Sequence, residues 1–307
     1  MYNSWKNYHS MAFVTVLLFC LTSLAPAQNA LSHNTFFTID YPLAGVTNTE
    51  AVASTPSGII VGNYYDSAGV QHGFMLKNGV FTSIDFPGAD FSGVTWMNDS
   101  GDIVGIYYTD SGMKANTYIL KGGTFTTINY PGNNTNTYGF GIDDADDIVG
   151  PECACNFTQA TGFLYTYSTG TFTLFNYPNA VGTYPTMTVD PTKYIVGSYL
   201  DQASVYHGFL LTGGVNGVFS NIDYPGSTFT WITGINAASE MVGFYRDQSG
   251  NQHGFEYNLP LNAFYSIDIS GATSTEVNGI NGVKGNLVGR YTTPDGHTHG
   301  YFLQSPH

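Results

Sequence analysis

The feature that most constrains this chain is an internal repeat of roughly 45 residues, which runs from residue 36 to the end. The phrase "FTSIDFPGAD" at 81–90 returns as "FTTINYPGNN" at 125–134 and as "FSNIDYPGST" at 219–228. Self-similarity at a fixed period of this size indicates a repeat architecture. The six units begin at Phe36, Phe81, Phe125, Phe172, Phe219 and Phe264.

Each unit has the pattern of β-strands separated by turns. In the second unit, "FTSIDF" at 81–86 alternates with a period of two, and "NDSGD" at 98–102 and "TDSG" at 109–112 are turn sequences. No segment shows the 3.6-residue rhythm of a helix. Four strands in a unit of this length describe one blade of a β-propeller.

The two ends of the repeat predict a closed ring. The chain enters through a strand at 36–42 and ends with the strand "HGYFLQ" at 299–304, so the last unit has three strands. Pairing the first strand with the region of Phe302 completes a sixth blade and leaves only short, protected edges. We therefore predict an all-β fold, a six-bladed β-propeller of four-stranded antiparallel blades over 36–307. An open β-solenoid, which needs polar caps, and two stacked sandwiches are the alternatives.

Three recurring residues have physical interpretations. The initial Phe of each unit is expected to bury an aromatic ring against the neighbouring blade. The Pro-Gly is expected to turn the chain from one blade into the next. A Gly follows Val in the middle of every unit, as in Val61-Gly62, and we expect it where blades crowd together and no side chain fits.

The units resemble the extracellular repeats called the HAF family. The resemblance lies in "IDYPGA"-like starts, "GIND.GDIVG"-like centres and "HGF"-like ends, as in "INAASEMVGFYRDQSGNQHGF" at 235–255, and it covers 36–307. The second unit departs with Asn116-Thr117 for His-Gly, the third with Thr161-Gly162, and the last with Ile269-Ser270 for Tyr-Pro. The resemblance implies export and a repeat fold, and it implies no activity.

The first 27 residues have the layout of a secretory signal peptide. Lys6 and His9 precede an apolar stretch at 11–24, and "APA" at 25–27 offers small residues at the cleavage position. An uncleaved anchor is the alternative, although the stretch is shorter than the roughly 20 residues of a membrane-spanning helix. We expect a short segment at 28–35 to precede the propeller. The mature chain is expected to be secreted or extracellular, with the periplasm and the cell surface as further possibilities.

The charge of the chain narrows its partners. Removing Lys6 leaves seven Lys and Arg against 22 Asp and Glu, so the mature charge is 7 − 22 = −15. Phosphate backbones and anionic lipids are bound through Lys and Arg. We therefore exclude nucleic acid and the membrane surface as partners, and we expect a monomer that does not insert into a membrane after cleavage.

Repeated polar residues have both structural and functional interpretations. An aspartate in the turn after the Val-Gly strand recurs in five units and would form an acidic rim for Ca²⁺ or a cationic ligand, or simply open the turns. The repeated histidines would bind a metal only if they faced the channel, so a structural role in the hairpins is favoured. The aspartates are Asp66, Asp110, Asp201, Asp247 and Asp295, and the histidines are His72, His207, His253 and His299.

The third unit departs most from the repeat. Its acidic turn holds Asp143, Asp144, Asp146 and Asp147, which are weak Ca²⁺ candidates because their spacing matches no EF-hand loop. A solvated acidic turn is the alternative, and no other cofactor is expected. Cys153 and Cys155, the cysteines of the mature chain, are predicted to form a local disulfide in an exported protein. Free thiols and a redox or metal function stay open.

Tryptophan and arginine residues that the repeat does not demand are candidate ligand-binding residues. Trp96 stands where other units have glycine, and Trp231 lies elsewhere on the equivalent strand, at opposite parity. Both would stack on a sugar or peptide at the mouth of the propeller, or fill gaps between blades. Arg246 and Arg290 would bind a carboxylate or, preferably, form ion pairs with the acidic rim.

Two functional hypotheses follow, and a purely structural or adhesive role is a third. The first is a non-enzymatic exported propeller that binds a polysaccharide or surface protein through its rim. The second is a carbohydrate-active hydrolase or lyase with carboxylates such as Glu152, Asp247 and Glu276 at the channel mouth. The unusual residues scatter over several units, whereas an enzyme should concentrate them around one channel. Binding is therefore favoured, and no catalytic residues are assigned.

Overall fold

The computed structural model describes residues 35–132, 135–153, 157–282 and 285–304. The predicted signal peptide at 1–27 and most of the segment at 28–35 lie outside these residues. Within them, no helix is long and apolar enough to cross a membrane. The strands are β1 (Thr35–Ile39), β2 (Thr49–Ser54), β3 (Ile60–Tyr65), β4 (Gln71–Lys77), β5 (Val80–Ile84), β6 (Phe91–Met97), β7 (Ile103–Thr109), β8 (Lys114–Lys121), β9 (Thr124–Ile128), β10 (Asn136–Thr137), β11 (Gly141–Ile142), β12 (Ile148–Cys153), β13 (Thr161–Thr166), β14 (Thr171–Phe175), β15 (Gly182–Asp190), β16 (Tyr194–Leu200), β17 (Tyr206–Thr212), β18 (Val218–Asn221), β19 (Phe229–Ile235), β20 (Glu240–Arg246), β21 (Gln252–Asn258), β22 (Ala263–Ile267), β23 (Ser274–Ile280), β24 (Leu287–Thr292) and β25 (Thr298–Gln304), with one 3-10 helix at Phe157–Gln159.

The strands form six antiparallel sheets arranged as a ring, which confirms the predicted β-propeller. Blades 1 to 5 are β2–β5, β6–β9, β10–β14, β15–β18 and β19–β22, and blade 6 is β23–β25 with β1 as its outermost strand. In blade 3 the innermost strand is divided into β10 and β11, which both pair with β12. Each blade is offset by one strand from the sequence unit. The strand that contains the initial Phe of a unit is the outermost strand of the preceding blade.

Ring closure occurs as predicted from the two ends of the repeat. Strand β1 pairs antiparallel with β25, with Phe37 opposite Phe302 and Ile39 opposite Gly300. Ile39 is buried. The first described strand and the last one therefore belong to the same blade.

The recurring Phe packs between blades, as the sequence predicts. Phe81 on β5 lies 5.3 Å from Phe74 of its own blade and 5.3 Å from Tyr41, which comes from the preceding blade-to-blade connection (ring centroids). The exception is Phe36 on β1, which is 41% exposed. The arrangement of Phe81 recurs at Phe125, Phe172, Phe219 and Phe264.

The glycine that follows Val is required for a reason other than the predicted crowding between blades. A Cβ atom at Gly62 would stand 2.0 Å from the carbonyl oxygen of Glu50 and 2.7 Å from the Phe74 ring, both in the same blade. At Gly150 a Cβ would stand 1.8 Å from the carbonyl oxygen of Tyr138. The crowding therefore arises within each blade, from the backbone of its innermost strand, and in blades 1, 2, 5 and 6 also from the aromatic ring of the third strand.

The innermost strands carry β-bulges that shape the central channel. The bulged residues include Val52, Thr95, Thr233 and Asn278, which lie between regularly paired neighbours. Thr95 Oγ1 donates to the carbonyl oxygen of Gly139 (2.6 Å), and Thr233 Oγ1 donates to that of Val277 in the next blade (2.7 Å). Each bulge also shifts the side-chain alternation by one residue. Innermost strands are thereby linked from blade to blade around the axis.

Candidate functional site

Trp96 fills the central channel. It is 6% exposed on the innermost strand β6 of blade 2. Its Cη2 atom would lie only 2.9 Å from a Cβ at Gly234 in blade 5 and 3.2 Å from one at Gly279 in blade 6. Glycine at these equivalent positions leaves the space that the indole occupies, and cavities open on both sides of it. Trp96 is therefore neither exposed at the mouth nor a filler between adjacent blades, and it separates the two ends of the channel.

A cavity of about 400 Å³ opens on one side of Trp96. It lies at the face that carries the connections between blades, such as residues 85–90, which we call the crossover face. Blades 1 and 6 supply charged and amide side chains to this cavity, whereas blades 2, 3 and 5 supply aromatic ones. The charged and amide residues are Glu50, Asn63, Gln71, Glu276, Asn278 and Arg290, the aromatic residues are Trp96, Tyr108, Phe140, Trp231 and Phe244, and Thr95, Thr186 and Thr233 add hydroxyl groups.

Arg290 bridges two carboxylates in the polar half of the crossover-face cavity. Its Nη1 lies 3.1 Å from Glu50 Oε2, and its Nη2 lies 2.8 Å from Glu276 Oε1. Burial by itself lowers the pKa of the guanidinium, but the two carboxylates outweigh this effect and raise that pKa above its usual value. The predicted ion pairing of Arg290 is thus present, with channel carboxylates in place of the rim aspartates.

Amide side chains fix the two carboxylates further. Asn63 Nδ2 donates to Glu50 Oε1 (2.9 Å) and to the carbonyl oxygen of Val94 in blade 2 (2.9 Å), while its Oδ1 accepts from the Val94 amide (2.7 Å). Gln252 Nε2 donates to Glu276 Oε1 (2.6 Å). The charged group of blades 1 and 6 is therefore also hydrogen-bonded to blades 2 and 5, which makes its geometry rigid.

Trp231 forms the aromatic half of the cavity together with Phe244. It is half-buried, with its ring centroid 5.6 Å from Tyr184 and 5.4 Å from Tyr206. The sequence predicts that Trp231 and Gly234, the equivalent of Trp96 on this strand, point to opposite faces. This prediction is wrong, because the bulge at Thr233 places both positions on the same face of the strand. Both tryptophans consequently line one cavity.

Arg246 has a different environment from Arg290. Its guanidinium carbon lies 4.9 Å from the centroid of the Phe229 ring, and no ion pair is found for it among the described residues. The side chain is exposed and does not line the cavity. The predicted pairing of Arg246 with the rim is therefore replaced by a cation–π contact.

The rim aspartates act in their own turns. Asp66 Oδ1 accepts from the amides of Ala68 (2.8 Å) and Val70 (2.9 Å), and these bonds hold its pKa below the usual range. Asp110, with a positive φ of 57°, is exposed in its turn. Hydrogen bonds also lower the pKa of three other rim aspartates. The main donor is the backbone amide of Val205 for Asp201, the side-chain amide of Asn251 for Asp247 and the hydroxyl of Thr293 for Asp295.

Three of the four repeated histidines bridge a pair of aspartates on the crossover face, and the fourth, His299, contacts one aspartate and the hydroxyl of Thr293. His72 Nδ1 lies 2.8 Å from Asp85 Oδ1, and its Nε2 lies 3.5 Å from Asp66 Oδ2. The ring also stacks on Tyr64. These contacts connect the turn to the end of the outermost strand, so the histidines order the hairpins through carboxylates and not through a backbone group. Equivalent pairs are His207 with Asp223, His253 with Asp268 and His299 with Asp40.

The acidic turn of blade 3 is held by its own hydrogen bonds. Asp143 Oδ1 accepts from the amides of Ala145 and Asp147 (2.9 Å each), and burial raises its pKa to about 6. No group of three or more metal-binding side chains is found in the described part of the chain. Calcium binding stays a prediction. The other acids also have partners: Asp144 accepts from the Asp99 amide, Asp146 from Asn98 and Lys121, and Asp147 from the Tyr167 amide.

The other candidate site residues of blade 3, Cys153 and Glu152, do not line the crossover-face cavity. Cys153 is buried at the end of β12, and Cys155 lies outside the described residues, so the disulfide stays a prediction. Glu152 pairs with Thr161, and burial raises its pKa. Of the three carboxylates considered for catalysis, only Glu276 lines the cavity, because Glu152 and Asp247 lie elsewhere. The structure does not bring these three together.

A smaller cavity of about 120 Å³ lies at the opposite mouth of the channel. Its polar residues come from the turns after the innermost strands, where Asn98 Oδ1 accepts from the Asp102 amide (2.9 Å) and Asn236 Oδ1 from the Glu240 amide (3.0 Å). This is the turn-opening role that the sequence predicts for Asn98.

Glu50, Asn63 and Gln71 are cavity residues that the sequence analysis did not identify. They are unremarkable as single residues in the first blade. What marks them is their position in the repeat. Glu50 and Asn63 form a cross-strand pair in blade 1, and the equivalent pairs are Glu276 with Arg290 in blade 6 and Trp231 with Phe244 in blade 5. An alignment of the six units with the bulges included would have placed them together.

Solved structures share this fold. The putative TolB from Agrobacterium tumefaciens matches with a TM-score of 0.58 and 12% identity over 84% of this chain and 91% of that one. TolB from Acinetobacter baumannii matches with a TM-score of 0.53 and 13% identity over 84% of this chain, which spans 63% of that protein. The fungal lectin from Aleuria aurantia, a fucose-recognising six-bladed propeller, matches with a TM-score of 0.50 and 10% identity over 85% and 92% of the two chains.

An enzyme also has this fold. An oligogalacturonate lyase solved with manganese matches with a TM-score of 0.50 and 11% identity over 91% of this chain and 97% of that one. At such identities the likeness shows the fold alone. No protein-family model matches the chain and no curated protein matches it, so the HAF resemblance stays a prediction.

Proposed function

We propose that this protein is an exported, non-enzymatic β-propeller that binds carbohydrate in the crossover-face cavity. The observation that carries the proposal is the composition of that cavity, in which Trp231 and Phe244 face the same space as Glu276 and Asn63. Sugars present apolar C–H faces and hydroxyl edges, which suit aromatic and polar walls respectively. The volume of about 400 Å³ lies within the usual range of about 300–1,000 Å³ for small-ligand sites.

The cavity is preferred to the predicted rim as the binding surface. The rim aspartates, such as Asp66, already accept hydrogen bonds within their turns. Three of the unusual residues that seemed scattered along the sequence, Trp96, Trp231 and Arg290, converge on the cavity. Convergence at one place is what a dedicated ligand site requires.

A carbohydrate-active hydrolase or lyase is the second candidate, and the pair of carboxylates in the cavity favours it. Glu50 and Glu276 both line the space, as an acid and a base would. Arg290, however, lies between them and donates to both. This arrangement holds both carboxylates in ion pairs with one guanidinium, whereas catalysis requires one carboxyl to donate a proton to the substrate. Binding therefore fits the contacts better.

The proposal is tested with soluble and insoluble polysaccharides, with and without Ca²⁺, by measuring protein depletion and the release of reducing or unsaturated ends. We expect depletion without products, and a loss of about tenfold in affinity in Trp231→Ala, equal to about 1.4 kcal/mol. Tyr167→Ala is the control because it removes an aromatic ring that is 38% exposed outside the cavity. Released products would establish the enzyme, and unchanged binding by Trp231→Ala would place the site elsewhere.

A further inference from the structure

We infer that the carbohydrate bound in the crossover-face cavity carries a positive charge, as an amino sugar with a free ammonium group does. The inference rests on the proposed function and specifies its ligand class. Three features of the cavity carry it: its net charge, an unused carboxylate oxygen and the adjacent aromatic wall.

The net charge of the cavity is negative. Glu50, Glu276 and Arg290 are its Lys, Arg, His, Asp and Glu residues within the described chain, which gives 1 − 2 = −1. Arg290 already directs its two Nη groups at the two carboxylates, at 3.1 and 2.8 Å. A uronate or sialate entering the cavity would meet two carboxylates and a guanidinium that is already paired. Acidic sugars are therefore disfavoured.

Glu276 supplies an acceptor that the protein does not use. Its Oε1 accepts from both Arg290 (2.8 Å) and Gln252 (2.6 Å), whereas its Oε2 accepts no hydrogen bond from the described residues. The residue is 8% exposed. The carboxylate lines the cavity, so this oxygen can accept a hydrogen bond from a ligand. An ammonium group provides three donors and the compensating charge.

The aromatic wall suits the same ligand. Trp231 and Phe244 in blade 5 adjoin blade 6, which carries Glu276. An ammonium group near an aromatic face gains a cation–π attraction, and the apolar face of the pyranose ring packs against indole. A hexosamine therefore uses the carboxylate and the aromatic wall together, while a neutral hexose uses the wall and only neutral hydrogen bonds.

The test compares four β-1,4-linked or equivalent tetrasaccharides of equal length by calorimetry, built from glucosamine, N-acetylglucosamine, glucose and galacturonic acid. We expect the glucosamine oligomer to bind about tenfold tighter than the glucose oligomer, because charge-assisted hydrogen bonds are roughly twice as strong as neutral ones. The galacturonate oligomer should bind most weakly. High salt should reduce the preference for glucosamine.

Two variants separate the cavity from the acidic surface. Glu276→Gln keeps an acceptor for Arg290 and Gln252 but removes one charge, so the preference for the glucosamine oligomer over the glucose oligomer should fall to about twofold. Asp90→Asn removes one charge from an exposed position on the same face, and its amide oxygen can still accept from Gly112. This control should keep the full preference.

The outcomes distinguish the inference from the function on which it rests. Equal binding of glucosamine and glucose oligomers, or tighter binding of galacturonate, overturns the inference and leaves the carbohydrate function standing. An equal loss of preference in Asp90→Asn and Glu276→Gln also overturns it, because the attraction would then come from the net negative charge of the whole chain. No binding of any oligomer refutes the proposed function itself.

Discussion

Replacing Trp96 by alanine is the most direct test of the blocked channel. The indole is 6% exposed and lies against the glycines at 234 and 279. Trp→Ala in a core costs about 3–5 kcal/mol, which includes the penalty for an empty space. Cavities on both sides of Trp96 let water enter the vacated space, so the penalty is reduced and we expect a loss of about 3 kcal/mol in the free energy of unfolding.

The measurement is urea-induced unfolding followed by circular dichroism, which does not depend on the deleted fluorophore. Trp231→Ala is the matched control, because Trp231 is half-buried at the cavity wall and should cost about 1 kcal/mol or less. Trp96→Ala should lower the free energy of unfolding more than it lowers the affinity for the ligand. Trp231→Ala should lower the affinity for the ligand more than it lowers the free energy of unfolding. A loss below about 1 kcal/mol in Trp96→Ala, or equal losses in both variants, would contradict the packing described for the channel.

Two further predictions concern stability. Burial and then Glu240 raise the pKa of Glu256 from 4.5 to about 7. The folded-state pKa exceeds the unfolded one, so stability falls as the pH rises between these values. The Glu256→Gln variant should be more stable than the parent by roughly 2–3 kcal/mol at pH 8 and equally stable at pH 4, as measured by urea unfolding. A stability gain that does not depend on pH would show that the charge of Glu256 is not its cause. Deletion of residues 36–42 removes the pairing of β1 with β25 and the buried Ile39. The melting temperature should therefore fall by roughly 10 °C. An unchanged melting temperature would show that the ring does not need β1 to close it.

The architecture could be predicted because its signals are local and repeated. Strand alternation, turn residues such as Asn98 and the unpaired first strand each depend on neighbours in sequence or on a count of strands. Repetition in six units made the pattern clear where a single unit would be ambiguous. The blade, the closure and the packing of Phe81 against Tyr41 follow from these signals.

The candidate site could be predicted only in part. Trp231 and Arg290 were identified because they depart from the repeat, but Glu50 and Asn63 were not. Convergence at the axis depends on which strand is innermost and on bulges such as that at Thr233, which reverse the side-chain alternation. A bulge depends on the pairing of two strands and leaves no clear mark in either strand alone. Trp96, Trp231 and Arg290 therefore appeared scattered although they share one cavity.

The register of the innermost strands has a consequence for protein engineering. One position, opposite the residue that follows the glycine of each Val-Gly pair, carries four kinds of residue in the five blades with regular pairing there, while that glycine recurs in every unit. A designer could randomise this position in blades 1, 5 and 6 at once and select new binders, since there it lines the cavity, whereas Tyr184 in blade 4 is fully buried. The natural sequence already offers a sample of such diversity in Glu50, Gly93, Tyr184, Trp231 and Glu276.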